Sequence, residues 1–278
     1  MKVLIVGLGL IGGSFAKALK NRPDYEVYGT DSNEKVVRRA VADGVILGEC
    51  GTDRADLIII ALYPGQTVEF IKNNLFKIKR DAVVVDSCGV KSAVCEKVLP
   101  LVKQAGFTFV GAHPMAGKEK GGYENSDGSL FSGASYIITP EQAPKRAVDA
   151  LKRLAFDAGF KDVTITTPKE HDSIIAFTSQ LPHILASAYI SDPDAPRHRG
   201  YSAGSYKDVS RVAEINAGMW TELFLSNKAE LARHLEILIK NLSVFKDAVL
   251  TGDEKLLFTL LANGDKIKKE IRNGRISA

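Results

Sequence analysis

The chain has 278 residues, of which 45% are hydrophobic and 25% are charged, and its formal net charge is +4. This is the composition of an ordinary globular protein with enough chain for two domains, and the small, scattered charge argues against nucleic acid as a partner while remaining compatible with a small anionic substrate. No stretch approaches the ~20 apolar residues that a membrane span needs, and the N-terminus passes from a short apolar run into glycines, which indicates a first strand rather than a signal peptide.

A glycine-rich turn follows the first predicted strand. The apolar run Lys2–Val6 leads into Gly7-x-Gly9-x-x-Gly12, and the residues after it are predicted to form a helix from about Ser14 to Lys20. A second predicted strand over residues 26–30 ends at Asp31, nineteen residues after Gly12. Strand, glycine turn, helix and a later acid in this spacing predict a dinucleotide site.

Each residue of this turn has a physical reason to be there. Gly7 allows the tight turn, Gly9 lets a pyrophosphate approach the backbone, and Gly12 lets helix and strand pack closely. We expect the phosphates near the helix N-terminus, beside Leu10 and Ile11, where free N–H groups favour an anion. Asp31 would accept hydrogen bonds from the ribose and repel a 2′-phosphate, which favours NAD over NADP. The alternative for Asp31 is an acid at a helix start, before Glu34.

Strands and helices then alternate with short connections, which predicts a doubly wound, mostly parallel sheet of the Rossmann type. The predicted strands cover residues 56–61, 82–86, 107–111, 135–139 and 162–166, and the predicted helices 66–75, 92–105 and 143–158. Ligands of such sheets bind beyond the carboxyl ends of the strands. We therefore expect Ala61, Leu62 and Ser87 to contact the cofactor.

The segment Gly111–Gly117 follows the strand predicted over 107–111 and brings His113 to the same rim. Histidine has the unperturbed pKa nearest neutrality, and the proline after it restricts its backbone to extended conformations. His113 is therefore a candidate for proton transfer, although a structural loop histidine is the alternative. The glycine-rich, polar residues 118–133 are predicted to form a long surface loop and possible lid.

Strand patterns stop after Pro168, so we place the domain boundary there: residues 1–167 form the dinucleotide-binding domain and residues 168–278 a helical domain. The predicted helices cover residues 169–190 with a kink or break at Pro182, then 206–213, 220–249 and 253–273. The helix over 220–249 carries a broad apolar stripe, which predicts burial in a homodimer or, alternatively, within the chain.

Arg211 lies on the 206–213 helix. Its rigid fork suits a carboxylate, so it is a candidate to bind an anionic substrate, with a surface ion pair to Asp208 or Glu214 as the alternative. His171 and His183 are, from their pattern alone, more typical of structural groups. The odd number of cysteines without metal-like spacing predicts free thiols in a reducing cytoplasm and no metal site: Cys50, Cys88 and Cys95.

Five motifs together resemble the prephenate dehydrogenase family, which includes arogenate and cyclohexadienyl dehydrogenases. They are VGLGLIGGSFAKAL at 6–19, DSCGVK at 86–91, GAHPMAGKEKGGY at 111–123, FTSQLPHILA at 177–186 and YKDVSRVA at 206–213. The resemblance implies a Rossmann domain followed by an all-α dimerisation domain. It also implies NAD-dependent oxidative decarboxylation of prephenate to 4-hydroxyphenylpyruvate in tyrosine biosynthesis.

The same resemblance assigns roles to individual residues. His113 takes the proton of the ring hydroxyl, and Arg211 binds a substrate carboxylate. His183 lies at the substrate pocket, while Lys207 and Trp220 line or approach it, Trp220 from across a dimer.

This chain departs from the family at one position, since many members have a serine where Gly89 stands. That serine hydrogen-bonds the catalytic histidine or the substrate, so Ser87, Ser92 or a water would have to replace it. Three alternatives remain: arogenate as the substrate, a β-hydroxyacid or imine reductase, for which Lys207 is the residue to test, and a non-catalytic NAD-binding protein.

Overall fold

The computed structural model describes residues 1–274, so the last four residues of the predicted helical domain lie outside it. Two compact units are present, one over residues 1–228 and one from Ala229 onward. The strands are β1 (Lys2–Val6), β2 (Glu26–Thr30), β3 (Leu57–Ile60), β4 (Val83–Asp86), β5 (Thr108–Pro114), β6 (Ser135–Thr139) and β7 (Asp162–Ile165). The first unit's helices are α1 (Leu10–Leu19), α2 (Glu34–Ala42), α3 (Pro64–Asn74), α4 (Ser92–Ala105), α5 (Lys145–Asp157), α6 (Pro168–Ile175), α7 (Leu181–Ile190), α8 (Gly204–Ser210) and α9 (Ala217–Ser226).

The seven strands form one sheet in the order β2-β1-β3-β4-β5-β6-β7. All neighbouring pairs are parallel except β5 and β6. The central strands β1 and β3 are almost fully buried, as expected for strands covered by helices on both faces. Two apolar clusters, one on each face of the sheet, complete the core, which confirms the predicted fold class.

Strand β5 is longer than predicted and contains His113 rather than ending before it. Residues 108–110 pair with β4 in parallel, and residues 111–114 pair with β6 in the antiparallel direction. This change of partner extends the strand beyond the point where the apolar pattern stops. His113 is therefore held by a ladder, opposite Ile137, and not by a free loop.

The surface loop predicted over 118–133 contains no strand or α-helix, and several of its residues are fixed to the domain. Tyr123 and Phe131 are 3% and 0% exposed. The backbone of Asp127 donates to Ser14 of α1 at 2.9 Å, and Lys17 donates to the Ser126 carbonyl at 2.9 Å. Tyr123 and Phe131 are as buried as core residues of a helix or strand, but their irregular spacing gives no helix or strand pattern in the sequence.

The first helix of the second half is interrupted before Pro182. A π-helical turn over Ala176–Gln180 separates α6 from α7, and Pro182 lies in the first turn of α7, directly after this turn. Such π turns are frequent at functional sites.

The single helix predicted over 220–249 is two helices, α9 and α10 (Lys228–Thr251), which correct that prediction. They are separated at Asn227, whose buried side-chain amide donates to the Asp172 carbonyl at 2.8 Å and to Gln180 Oε1 at 2.9 Å. These contacts interrupt the helix at Asn227, and the spacing of apolar residues in the sequence gives no sign of this interruption.

The second unit contains most of α10 and all of α11 (Glu254–Arg272), which begins at an Asp253 cap. Both helices carry large apolar side chains that stay exposed in the single chain, among them Ile239 at 60%, Leu242 at 51% and Phe258 at 74%. Within residues 1–274, no helix combines the length and the apolar content that a bilayer span requires.

Candidate active site

The glycine-rich turn is as tight as its sequence predicts. Gly7 has a φ of +86°, and a Cβ on it would lie 2.6 Å from the Ala61 carbonyl oxygen. A Cβ on Gly12 would lie 1.8 Å from the Gly7 carbonyl oxygen, whereas one on Gly9 would meet nothing within 4 Å. The turn is therefore closed toward the sheet and open at Gly9. Because no side chain caps α1, which begins at Leu10 and Ile11, its N–H groups suit a pyrophosphate.

Asp31 lies beside this turn at the end of β2. Its carboxylate accepts hydrogen bonds from the Leu8 N–H at 2.8 Å and the Asn33 N–H at 2.9 Å. The cap of α2 is Asn33, which accepts from the Lys35 N–H, so Asp31 does not have the helix-start role that was its alternative. The turn, the uncapped helix and this carboxylate together fit a dinucleotide.

The loops after β3 and β4 come to the same edge. The Ala61 N–H donates to the Val6 carbonyl at 2.8 Å, and the Ser87 N–H donates to the Ile60 carbonyl at 3.0 Å. The neighbouring Leu62 is partly buried, and the Ser87 hydroxyl is buried without a hydrogen-bond partner among the described residues. A bound group that supplies a partner would satisfy this hydroxyl.

A fully buried ion pair, not anticipated from the sequence, lies behind this edge. Lys91 Nζ pairs with Asp86 at the end of β4 and donates to the Ala112 carbonyl at 2.6 Å. Asp86 in turn accepts from the Ala112 N–H at 3.2 Å. Both side chains are 0% exposed. The DSCGVK motif therefore fixes the end of β4 to the residue that precedes His113.

The His113 ring contacts His171 of α6. The distance from His113 Nδ1 to His171 Nε2 is 3.0 Å, and His171 Nδ1 lies 2.8 Å from Asp172 Oδ1. Burial lowers the pKa of His113 well below its usual value, and the neighbouring His171 and Lys91 lower it further. We call these residues the Asp172–His171–His113 line.

The group that holds the His113 ring is therefore His171, at Nδ1, and not Ser87 or Ser92 as the sequence analysis had considered. The Ser92 N–H donates instead to Asp172 at 2.8 Å. Sequence reasoning could not find this contact, because 58 residues separate the two rings and His171 lies in an unremarkable helical pattern.

Gly89 lies beside the other nitrogen of His113. A Cβ at this position would be 3.7 Å from His113 Nε2 and 3.4 Å from Leu223 of α9, both ordinary contacts. A serine would therefore fit here and would reach Nε2, whereas the glycine leaves that nitrogen open.

A second cluster contains His183 of α7. The His183 ring donates through Nδ1 to the Val212 carbonyl at 2.7 Å and lies against Trp220, with 3.9 Å between ring centroids. Burial lowers the pKa of His183, and Arg211 lowers it further. Trp220 thus meets His183 of its own chain, although the resemblance had implied an approach from a partner.

The side chains of Arg211 and Lys207 are more exposed to solvent than that of His183. Arg211 begins the short 3-10 turn over 211–213 after α8, and its guanidinium pairs with Glu119 at 3.4 Å rather than with Asp208 or Glu214. It borders a cavity of about 560 Å³, with Lys118, Glu119, Lys120, Asn125, Ser210 and Glu214. His113 is not among the lining residues, and Lys207 is exposed on α8.

Two family models match the chain consecutively. "Prephenate dehydrogenase, nucleotide-binding domain" matches residues 15–163, and "Prephenate dehydrogenase, dimerization domain" matches residues 167–263. The prephenate dehydrogenase of Lactococcus lactis is 33% identical to the chain, over 99% of its length and 79% of the relative's. The chain belongs to the prephenate dehydrogenase family.

Solved structures of this family agree over almost the whole chain. Prephenate dehydrogenase from Aquifex aeolicus, in complex with hydroxyphenyl propionate and NAD+, superposes with a TM-score of 0.85 at 30% identity and covers 98% of both chains. Arogenate dehydrogenase from Synechocystis superposes with a TM-score of 0.82 at 25% identity, over 97% of this chain and 100% of that one. Within residues 1–274, no group of three His, Cys, Asp or Glu residues is arranged to hold a metal ion.

Proposed function

We propose that this chain is an NAD-dependent prephenate dehydrogenase, which converts prephenate to 4-hydroxyphenylpyruvate and CO2 in tyrosine biosynthesis. The observation that carries this proposal is the 33% identity to a prephenate dehydrogenase over 99% of the chain. The related enzyme solved with hydroxyphenyl propionate and NAD+ has the same fold over 98% of the chain. Three features support the proposal: the dinucleotide turn, the buried His113 with its lowered pKa, and Arg211.

NAD+ is the cofactor, and it supplies the hydride acceptor. The turn at Gly7, Gly9 and Gly12 would hold the pyrophosphate at the start of α1, with Leu10 and Ile11 beside it. Asp31 would accept from the ribose hydroxyls while its carboxylate disfavours a 2′-phosphate. Ala61, Leu62 and Ser87 would line the remainder of the cofactor, and the buried Ser87 hydroxyl would gain the partner it lacks.

His113 is proposed as the general base. The hydroxyl proton passes to His113 Nε2 as the ring C–O bond becomes a carbonyl and the hydride leaves the same carbon. The bond to the ring carboxylate then breaks, CO2 departs, and its electron pair completes the aromatic ring. The oxygen recovers a proton from His113, so the base ends in its starting state. Such assistance contributes ~10²–10⁴-fold in rate.

The substrate's carboxylates are proposed to bind at Arg211, with Lys207, His183 and Trp220 around them. The guanidinium fork matches a carboxylate and is held by one weak, exposed contact, so the substrate can replace Glu119 at small cost. Lys118 and Lys120 beside the cavity add positive charge.

The amino analogue arogenate is the second candidate substrate, since the Synechocystis relative is an arogenate dehydrogenase. Formation of NADH, followed at 340 nm with purified protein and each substrate in parallel, tests the proposal. We expect oxidation of prephenate with NAD+ and release of CO2. Absence of NADH with both substrates would overturn the function, and a higher kcat/KM with arogenate would move the assignment to the amino substrate.

A cytoplasmic homodimer without nucleic-acid partners is the proposed working form. The matched dimerisation domain and the exposed apolar side chains on α10 and α11 support it. Leu242→Glu should reduce the mass measured by light scattering from that of two chains toward one. Lys240→Glu introduces the same carboxylate on the opposite side of α10 and should leave the mass unchanged. A single-chain mass for the unaltered protein would exclude the dimer.

A further inference from the structure

The Asp172–His171–His113 line is buried at its far end. The side chains of His171 and Asp172 are 0% and 4% exposed. The ring of His171 stands at 60° to that of His113, with 5.2 Å between centroids. Its two nitrogens are thus both engaged, one by each neighbour, and no water is needed to connect the three groups.

Asp172 is held as a carboxylate. Its two oxygens accept from the Lys91 N–H at 2.7 Å and the Ser92 N–H at 2.8 Å, at the start of the fourteen-residue helix α4. Burial raises the pKa of Asp172, but hydrogen bonds from His171, Lys91 and Ser92 outweigh it and leave the pKa below its usual value. A carboxylate only accepts hydrogen bonds, so the proton between it and His171 must be on His171 Nδ1.

The state of His171 determines that of His113. Burial lowers the pKa of His171, and the Lys91 ammonium lowers it further, against the opposing effect of Asp172. A neutral His171 with its proton on Nδ1 has only a lone pair on Nε2. The 3.0 Å contact therefore requires the donor to be His113 Nδ1, which leaves His113 Nε2 without a proton.

We propose that His171, held by Asp172, is a positioning residue that fixes the Nδ1-protonated tautomer of His113 and leaves Nε2 free to accept a proton. The proton that reaches Nε2 comes from the substrate hydroxyl and later returns to the ring oxygen, while the Nδ1 proton stays between the two rings. This last step rests on the proposed function, but the tautomer itself does not. It also accounts for a working base beside Gly89, where the family's serine is missing.

The first test is a pair of substitutions at His171. His171→Phe keeps a ring but removes the acceptor, which frees His113 to place its proton on Nε2. We expect kcat to fall by about 10²–10⁴-fold with KM little changed, the scale of lost general-base assistance. His171→Gln puts an amide oxygen near the former Nε2 position and should recover at least about tenfold of this loss. His198→Phe, which removes a histidine that pairs with Ser202, should leave kcat unchanged.

The deciding test reads the tautomer directly. Protein with 15N-labelled histidine, in the absence of substrate, is studied through the long-range couplings of the ring protons, and His113→Asn identifies the signals of His113. We expect a protonated Nδ1 and a bare Nε2 in the unaltered protein, and a protonated Nε2 in His171→Phe. A protonated Nε2 in the unaltered protein, or ring signals of His113 that His171→Phe leaves unchanged, would overturn the proposal. Because no turnover is required, this result stands even if prephenate is not a substrate.

Discussion

His113 and Arg211, the two residues expected to act on the substrate, lie in opposite surroundings. His113 is fixed in a strand and hydrogen-bonded to a buried line that ends at the start of α4. The side chain of Arg211 is 66% exposed and has a 3.4 Å contact with Glu119. An exposed pair of this kind contributes about 0–1 kcal/mol. We therefore expect the proposed proton acceptor to be positioned before the substrate arrives, and the arginine to take its final position with the substrate.

The largest expected effect is that of His113→Asn. The amide cannot take the hydroxyl proton, so kcat should fall by about 10²–10⁴-fold while NAD+ and prephenate still bind. Steady-state rates together with a binding titration of each ligand measure both quantities. The matched control is His198→Asn, which should retain full turnover. Near-normal turnover of His113→Asn would remove His113 from the chemistry.

Arg211→Ala should affect binding more than turnover. A charged hydrogen bond contributes about 1.5–3 kcal/mol, so KM for prephenate should rise by roughly 10–100-fold with a smaller change in kcat. Arg197→Ala removes another exposed arginine, whose side chain is 82% exposed and pairs with Asp194, and it should leave KM unchanged. If KM were the same in Arg211→Ala and Arg197→Ala, Arg211 would be only a surface ion-pair residue.

Asn227→Leu tests whether the buried amide of Asn227 stabilises the part of the fold that holds the Asp172–His171–His113 line. It removes the donor to the Asp172 carbonyl and to Gln180, and leaving such groups unpaired should reduce the free energy of unfolding by about 1–3 kcal/mol. Urea unfolding measures this loss. Asn241→Leu changes an exposed asparagine of α10 and should stay within about 0.5 kcal/mol. Equal stabilities of the two variants would show that Asn227 does not stabilise the fold.

The smallest effect is expected for Gly89→Ser, which restores the residue that many family members have. Its Cβ meets only ordinary contacts, and its hydroxyl would add one neutral hydrogen bond near His113 Nε2. Such a bond contributes about 0.5–1.5 kcal/mol, so kcat should change by no more than about tenfold. A larger gain, measured in the same assay, would mean that His171 does not hold His113 sufficiently by itself.

The sequence predicted the sheet well because buried parallel strands are short apolar runs with clear ends. The bounds of β2 and α4 are those predicted, and the glycine turn has the expected geometry. The break at Asn227 and the antiparallel half of β5 depend on contacts with residues far along the chain. Apolar periodicity carries no information about such contacts.

The site was predictable to a different extent for each residue. The glycine turn and His113 could be predicted, because each follows an apolar run typical of a buried strand. His171 could not be predicted, because the hydrogen bonds that hold Asp172, and through it His171, form only when α6 packs against the start of α4. Lys91 and Asp86 both lie in the DSCGVK motif, but their burial as an ion pair appears only in the folded sheet.

The pH dependence of kcat/KM tests most directly the claim that His113 stands as a neutral base before substrate binds, because it reports the free enzyme. The groups that face His113 are His171, Lys91 and Asp172, and burial together with the first two lowers its pKa. Activity should therefore rise at a pH below 6.5, the ordinary value, and be flat through it. The pKa of His183 is also lowered, so His183→Gln is the control: if the rise comes from His113, it should remain in this variant. A midpoint at or above pH 6.5 that disappears in His113→Asn would contradict the account.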